Sequence, residues 1–557
     1  MERTPWTVLN GYKGKFFTGE WPTFPELFRI QVSRFGDRPC FTVYEPGRIS
    51  LTYADALKKI EAVARYLHKQ GIRNGDAVAV TGKNAPEWTV AYLGILFAGA
   101  TVVPIDYQLK NEEIDLLIRT SRAKILFVDE EKYSHFIEKP GALQEILSLK
   151  GNLGNFIYDL DGPQADIVPA VETDIAAILF TSGTTGTPKG VMLTHRNLIS
   201  DCFLAQANLD LFPTDVFYAL LPIHHAYTML AVFIEAISCG AEIVFGKKMV
   251  TPVILKELKE AKVTMFLGVP MLFNKLLAGI MRGIKAKGPI VAGVMNCLMG
   301  ISGLIKKVTG KNPGKKLFGS VLSKASLSTL RICICGGGPL SPSVFRKYNQ
   351  LGIDFIQGYG LTETSPILTL NPVEHYKETS VGKISAQVDM KILNPDSRGI
   401  GEVIVKGPMV MQGYFEMPEE TAATFTADGY LKTGDLGYLD NENYLYLTGR
   451  AKNLIVTEGG KNVYPEEIEN EFQLYDEIEQ ILVRGFVSDK KTKTERIEAL
   501  VYPNQELFKA TSAEETVNRI ISEVNLRLLP YQKIEKVKIL TKRMEETTTK
   551  KIKRDIV

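Results

Sequence analysis

The sequence predicts an α/β protein: a large N-terminal domain of layered, largely parallel sheets with helices, a β-rich subdomain, and a small C-terminal α+β domain. Three observations carry this. Helical periods alternate with short apolar runs through the first half of the chain. At 557 residues the chain exceeds what one hydrophobic core fills. The last hundred residues change pattern, combining strand-like runs (QILVRGFV, IEALVYP) with a helical period (SAEETVNRIISEVNLRL).

In chain order, TYADALKKIEAVARYLHKQ (52–70) has apolar residues at helical spacing behind a threonine cap. GIRNGDAVAVTG reads as turn and buried strand, PEWTVAYLGILFAGA as helix, TVVPID as strand, and KILFVD (124–129) as another strand. The apolar run IAAILF (175–180) precedes TSGTTGTPKG, Thr181 to Gly190, in which three glycines, five hydroxyl side chains and one lysine crowd together. Glycines let successive backbone N–H groups face one anion, hydroxyls add donors, and Lys189 adds a positive charge. This is the chemistry of a polyphosphate cradle. It is not a Walker A loop, because Pro188 stands where that motif needs glycine. VMLTHRNL then reads as the start of a helix. FYALLPIHHAYTM (217–229) reads as a strand followed by aromatics and imidazoles; His224 and His225, placed on a strand, would not face one metal.

Residues 261–353 contain no aspartate or glutamate, and residues 275–325 carry ten basic residues. Within them Gly288 to Ile305 is uncharged and largely apolar, barely long enough to span a bilayer. A span would separate the phosphate loop from the motif at Glu363, so a peripheral, surface-lying segment is the expectation; glycine, proline and asparagine argue against one continuous amphipathic helix. RICICGGGPLS (331–341) is a strand ending in three glycines that leave bare backbone for a flat ring. IQGYGLTETSP (356–366) follows another apolar strand. GEVIVKGPMVMQGYF (401–415) reads as antiparallel strand and hairpin, YLKTGDLGYLD (430–440) places Asp435 in a tight turn, and LTGRAKNLIVTEGGKNVYPEEIE (447–469) carries Arg450.

A net charge of +3 on this length gives no footing for nucleic-acid binding. Six cysteines without CxxC or zinc spacing, and an N-terminus without a signal-peptide core, lead to the expectation of a cytoplasmic protein, with peripheral attachment at the inner membrane surface as its variant.

These motifs, in this order, resemble the adenylate-forming superfamily of acyl-CoA synthetases, luciferases and peptide-synthetase adenylation domains. The resemblance covers almost the whole chain. It implies that Thr181, Ser182, Gly183, Thr184, Thr185, Gly186 and Lys189 hold the β- and γ-phosphates of ATP. Gly336, Gly337, Gly338 and Pro339 would form the adenine and acyl edge, and His225 would stand beside the acyl and adenylate groups, with Val269 and Pro270 near the carboxylate pocket. Gly358, Tyr359 and Gly360 would hold adenine, Tyr359 by stacking; Thr362 would meet the α-phosphate and Glu363 would ligate Mg²⁺. Asp435 and Arg450 would take the ribose. The domains implied are 1–449 and 453–557, the second mobile about a hinge at 450–452, with Lys452 at its centre. Gly459 would help line a channel for CoA. TTTKKIKRDIV matches the C-terminal motif with Lys551 as catalytic lysine, Lys550 standing where glycine is usual. Asn453 replaces a usual aspartate and Gly459–Gly460 lengthens the loop.

The implied function is an ATP-dependent acyl-CoA synthetase using ATP, Mg²⁺ and CoA on a small carboxylic acid. The apolar, basic 275–325 segment favours a medium- or long-chain fatty acid. The alternatives are an aryl-CoA ligase, a carrier-protein-loading enzyme, and a catalytically silent membrane-attached homologue.

Overall fold

The computed structural model of the protein describes residues 4–45, 47–181, 188–457, 461–489, 494–508, 513–546 and 552–554. Among these, one seven-stranded sheet has the spatial order Gly413–Tyr414, Lys189–Thr194, Ile175–Thr181, Thr101–Ile105, Ala77–Thr81, Ile125–Val128, Glu145–Ser148. From Ile175–Thr181 onward its neighbours run parallel. The helices between those strands form where the sequence calls for them. Tyr53–Lys69 is capped by Thr52, whose hydroxyl accepts from the Asp55 amide at 3.1 Å. Pro86–Phe97 begins on proline and is buried on every side, as an all-apolar helix between two sheets must be.

The second sheet has thirteen strands and changes character half-way. Pro39–Val43, Glu242–Phe245, Val216–Ala219, Met265–Gly268, Ile332–Cys335 and Asp354–Gly360 run parallel. Pro39–Val43 also pairs with Ile49–Thr52 as an antiparallel hairpin, and Phe41 lies opposite Ile243. The strand Asp354–Gly360 serves both halves: Asp354 to Gln357 pair parallel with Ile332–Cys335, and Gly358 to Gly360 pair antiparallel with Ile367–Leu370. From there the β-rich part continues through Gly382–Ile384, Tyr444–Arg450, Leu431–Leu439, Gly401–Lys406 and Asp389–Leu393. Gly360 makes the junction possible, because a Cβ there would lie 1.5 Å from the Pro366 carbonyl oxygen.

One core draws side chains from both sheets: Val78, Val80 and Val102 from the first, Phe41, Phe217, Met265 and Ile356 from the second. The opposite face of the second sheet packs Tyr218, Phe266, Cys333 and Phe355 under a separate helix layer. The helix His195–Ala205 ties the β-rich part to the body. Asn197 donates to the Pro408 and Val410 carbonyls at 2.7 and 2.9 Å, and Asp201 accepts from the Ile367 amide at 2.8 Å. A three-stranded sheet, Ile478–Asp489, Thr494–Pro503 and Lys536–Ile539, builds its own core with Pro465–Asn470 and Ala513–Asn525.

Four sequence expectations are corrected. The VMLT run is strand, not helix: Lys189–Thr194 pairs back along Ile175–Thr181, and the helix begins at His195. Four consecutive apolar or β-branched residues beside an existing edge gain more as ladder than as a first helical turn. The 401–415 run is not a hairpin; Gly401–Lys406 stays in the large sheet, whereas Gly413–Tyr414 crosses to pair with Lys189–Thr194. Asp435 lies inside the strand Leu431–Leu439 opposite Arg450, the turn-like signal being one glycine, Gly434, at φ +71°. The 288–305 run is unbroken: Pro289–Thr309 is one helix of 21 residues. Its proline occupies the first turn, where no amide bond is lost.

Candidate active site

The described residues of every predicted motif line one cleft of about 2690 Å³: Thr181, Lys189, His225, Gly336, Gly337, Gly338, Pro339, Gly358, Tyr359, Gly360, Thr362, Glu363, Asp435, Arg450 and Lys452. Ser182, Gly183, Thr184, Thr185, Gly186, Gly459, Lys550 and Lys551 lie outside the described residues. The parallel strands deliver their loops to the cleft from their carboxyl ends, the position that α/β sheets reserve for ligands.

At one side, Lys189 opens its strand with the ammonium 4.8 Å from the centre of the Tyr414 ring. The Tyr414 hydroxyl donates to Glu363 Oε1 at 3.0 Å. Glu363 sits in the single turn Thr362–Thr364, and its carbonyl accepts from the Met411 amide at 2.9 Å. Burial, then the Glu363 charge, pushes the Tyr414 hydroxyl well up, so it stays a donor. Cation, hydroxyl and carboxylate thus stand in a row at the end of the strand leading into the glycine-rich loop. One carboxylate with open surroundings fits Mg²⁺, which takes one or two protein oxygens and completes its octahedron with water and phosphate. Tyr414 was not singled out from the sequence; the aromatic after Gln412–Gly413 was its only signal.

At the other side, Asp435 is buried and doubly held. Its Oδ2 accepts from the Tyr359 hydroxyl at 2.7 Å, and its Oδ1 meets Arg450 Nε at 2.8 Å. The Asp435 charge, partly opposed by burial, strengthens the hold of Arg450 on its proton, and burial pushes the Tyr359 hydroxyl far up. Tyr359 brings its ring and hydroxyl to this place because Asp354–Gly360 changes partners there.

The glycine edge lines the same cleft. A Cβ on Gly336 would meet the Tyr227 ring at 2.9 Å, so the bare backbone is covered by this chain's own tyrosine. Tyr227 donates to the Ile334 carbonyl at 3.1 Å. Gln473, shortly after the helix Pro465–Asn470, reaches this edge: its Oε1 accepts from the Ser341 amide at 2.8 Å and its Nε2 donates to the Pro339 carbonyl at 2.9 Å. Asn453 donates to Glu466 Oε1 at 2.6 Å, a contact an aspartate at this position would turn into repulsion. Arg554 holds the C-terminal segment by donating to the Val483 carbonyl at 2.9 Å and pairing with Glu469. Burial raises the Glu469 carboxyl to about 7 against the pull of Arg554.

The expectation for the histidine pair is corrected. The strand ends at Ala219, and the His225 amide closes a turn on the Pro222 carbonyl at 3.3 Å. In a turn consecutive side chains need not alternate, and the two rings stand 4.3 Å apart between centroids. Asp106 lies beside them, its Oδ1 3.6 Å from His224 Nε2, and ligand atoms of the three residues fall within 4.8 Å of one another. The Asp106 carboxyl is held down at about 2, burial being outweighed by the two histidines and the Gln108 amide.

The AMP-binding enzyme family matches residues 28–415. The chain belongs to that family. It is 29% identical over 478 residues, 84% of this chain and 85% of the other, to a feruloyl-CoA synthase of an Amycolatopsis species. It is 28% identical over 576 residues, 96% and 93% of the two chains, to a long-chain-fatty-acid–CoA ligase of Bacillus subtilis. Among solved structures it resembles ATP-bound MatB from Rhodopseudomonas palustris, with TM-score 0.76 and 25% identity over 95% and 97% of the two chains. The AMP-binding protein described here is therefore an adenylate-forming acid–thiol ligase of the acyl- or aryl-CoA type, with the family's α/β architecture.

Proposed function

We propose that this ligase activates a medium- or long-chain fatty acid with ATP and Mg²⁺ in the cytoplasm and transfers the acyl group to CoA. The supporting observation is the apolar part of the cleft lining, which includes Ala205, Leu209, Leu211, Phe217 and Ala231. Such a wall gains free energy with each methylene it takes from water, about 0.8 kcal/mol per buried CH₂.

In the first half-reaction a carboxylate oxygen of the acid attacks the α-phosphorus of ATP, and the bond to the bridging oxygen breaks. Acyl-AMP forms and pyrophosphate leaves with the electron pair. Lys189 and the 181–190 loop offset the charge on the leaving phosphates, Thr362 meets the α-phosphate, and Asp435 and Arg450 orient the ribose. Glu363 would hold Mg²⁺, which supplies neutralisation of the phosphate charge. Lys551 steadies the carboxylate and α-phosphate. In the second half-reaction the C-terminal unit, residues 453–557, turns about the 450–452 segment and Lys551 withdraws. The CoA sulfur then attacks the acyl carbonyl carbon and AMP departs with the former carboxylate oxygen. His225 stands beside the acyl group in both steps.

The aryl reading is supported by the feruloyl-CoA synthase relative, and one experiment separates the two. Pyrophosphate release is measured across carboxylic acids of increasing length and aromaticity, with and without CoA. kcat/KM rising with aliphatic length supports the proposal; preference for cinnamate-like acids overturns it. Lys551→Ala should lose adenylation by roughly 10²–10³ and keep thioester formation from supplied acyl-AMP. Normal adenylation in that variant, with loss in Lys550→Ala, moves the role to Lys550.

A further inference from the structure

The helix Pro289–Thr309 is apolar on both sides. Inward it packs Ala292, Met295, Leu298 and Met299 on the core and buries Ser302 and Lys306. Lys306 donates to Asn349 and Asp354, each at 2.6 Å, anchoring the helix by hydrogen bonds and charge. The outward stripe carries further large apolar side chains. Ile290, Val294, Ile301, Leu304 and Val308 are 81%, 54%, 48%, 63% and 74% exposed. With Cys297, also exposed, they recur at alternating steps of four and three, which is one face of a helix. A surface helix normally shows the core this face. A contiguous outward patch of this kind marks an interaction surface.

Charge decides what covers it. Lys285 and Lys287 are exposed before the helix, and Lys307, Lys311 and Lys316 at and beyond its end. No acidic residue occurs from 261 to 353. A second copy packed two-fold on this face would bring lysines against lysines. A bilayer bearing anionic headgroups satisfies both the apolar stripe and its basic flanks. By length and composition this is the one helix among those described that could cross a membrane. Its C-terminal end is nevertheless tied down: Lys306 to Asp354, and Asn312 to the Gly352 carbonyl at 3.1 Å and to Asp354 at 2.9 Å.

We propose that the outer face of Pro289–Thr309 is a reversible docking surface for an anionic lipid bilayer, the helix lying flat in the interface. The neighbouring helix Pro270–Lys285 gives Ala278 and Met281 to the cleft wall, so docking brings the cleft next to the bilayer. Delivery of an acid from that bilayer rests on the substrate reading above; docking itself does not.

The test is flotation of the full chain with phosphatidylcholine vesicles, with and without phosphatidylglycerol, at low and raised salt. Light scattering is run in parallel without lipid. Wild type should bind the anionic vesicles and be released by salt. Ile301→Gln/Leu304→Gln/Val308→Gln should weaken binding by at least about tenfold. Lys307→Gln/Lys311→Gln should remove the preference for anionic lipid. Thermal unfolding and pyrophosphate release with a water-soluble acid should be unchanged in both variants, since the substituted side chains face solvent. Lys306 is left intact because it is buried. Equal binding to both vesicle types, or binding that survives the triple substitution, overturns the proposal. A dimer dissolved by Leu304→Gln, with no flotation, assigns the face to a second copy instead. Loss of flotation with fatty-acid activity retained separates this proposal from the substrate reading.

Discussion

Asp435 uses both carboxylate oxygens within the protein, one on Tyr359 and one on Arg450. Asp435→Asn removes the charge that orders both partners. Hydrogen bonds to a buried charged group contribute about 1.5–3 kcal/mol, so the Michaelis constant for ATP should rise roughly ten- to a hundredfold while the acid's changes little. Pyrophosphate release against ATP concentration reads this directly, and an unchanged constant removes Asp435 from nucleotide binding. His195 gives a second prediction at this scale. Its Nδ1 accepts from the Phe24 amide at 3.2 Å in full burial, and that burial lowers its pKa to about 4. The unfolded chain takes up this proton near pH 6.5, so the stabilisation is complete above that pH and is lost as pH falls towards 4. The loss is on the order of 3 kcal/mol. Urea unfolding from pH 7 to 4 should show it as an extra slope in wild type relative to His195→Asn; parallel curves overturn it.

The helix Pro289–Thr309 depends at the element scale on Lys306, whose desolvation lowers its pKa against the pull of Asp354. Lys306→Met leaves Asp354 without its charge partner, Asn312 alone remaining on the carboxylate, and should cost about 3–5 kcal/mol. Lys306→Met with Asp354→Asn should recover most of that in urea unfolding, and failure to recover shows that packing, not charge, holds the helix. Elements with one dominant cause were legible in the sequence: the Thr52-capped helix from its period, and the strands before both glycine-rich loops from their apolar runs. What the sequence hid was partnership. Lys189–Thr194 is a strand because Ile175–Thr181 and Gly413–Tyr414 flank it, and nothing local to VMLT says so. Asp435 looked like a turn residue because Gly434 takes positive φ inside a strand. The site motifs were legible as loops after strands. Tyr414 and Gln473 were not, since each reaches the cleft from an element whose own pattern does not point there.

At the scale of the molecule, we propose that residues 450–452 are the hinge between two units that wall the cleft; Gln473 hydrogen-bonds to residues 339 and 341 across it. Lys452→Pro fixes a φ that a hinge must change. Adenylation, followed by pyrophosphate release without CoA, should persist, while thioester formation falls by at least about tenfold. Equal loss of both half-reactions moves the hinge elsewhere.

The N-terminal hairpin leaves a debt of time during synthesis. Thr42 donates to Glu242, 200 residues further along, and the strand Pro39–Val43 has its parallel neighbour only in Glu242–Phe245. At roughly 5–20 residues per second, that neighbour emerges about 10–40 s after the hairpin. Throughout this interval the nascent chain presents an unpaired, apolar strand edge. A chain ending before residue 240 should therefore collect in the insoluble fraction, and adding back Ile49→Lys on the hairpin's outer strand should not rescue it, because the unpaired edge is that of Pro39–Val43. Soluble, monomeric truncated chain in a fractionation assay would show that the edge is shielded by something other than its native neighbour.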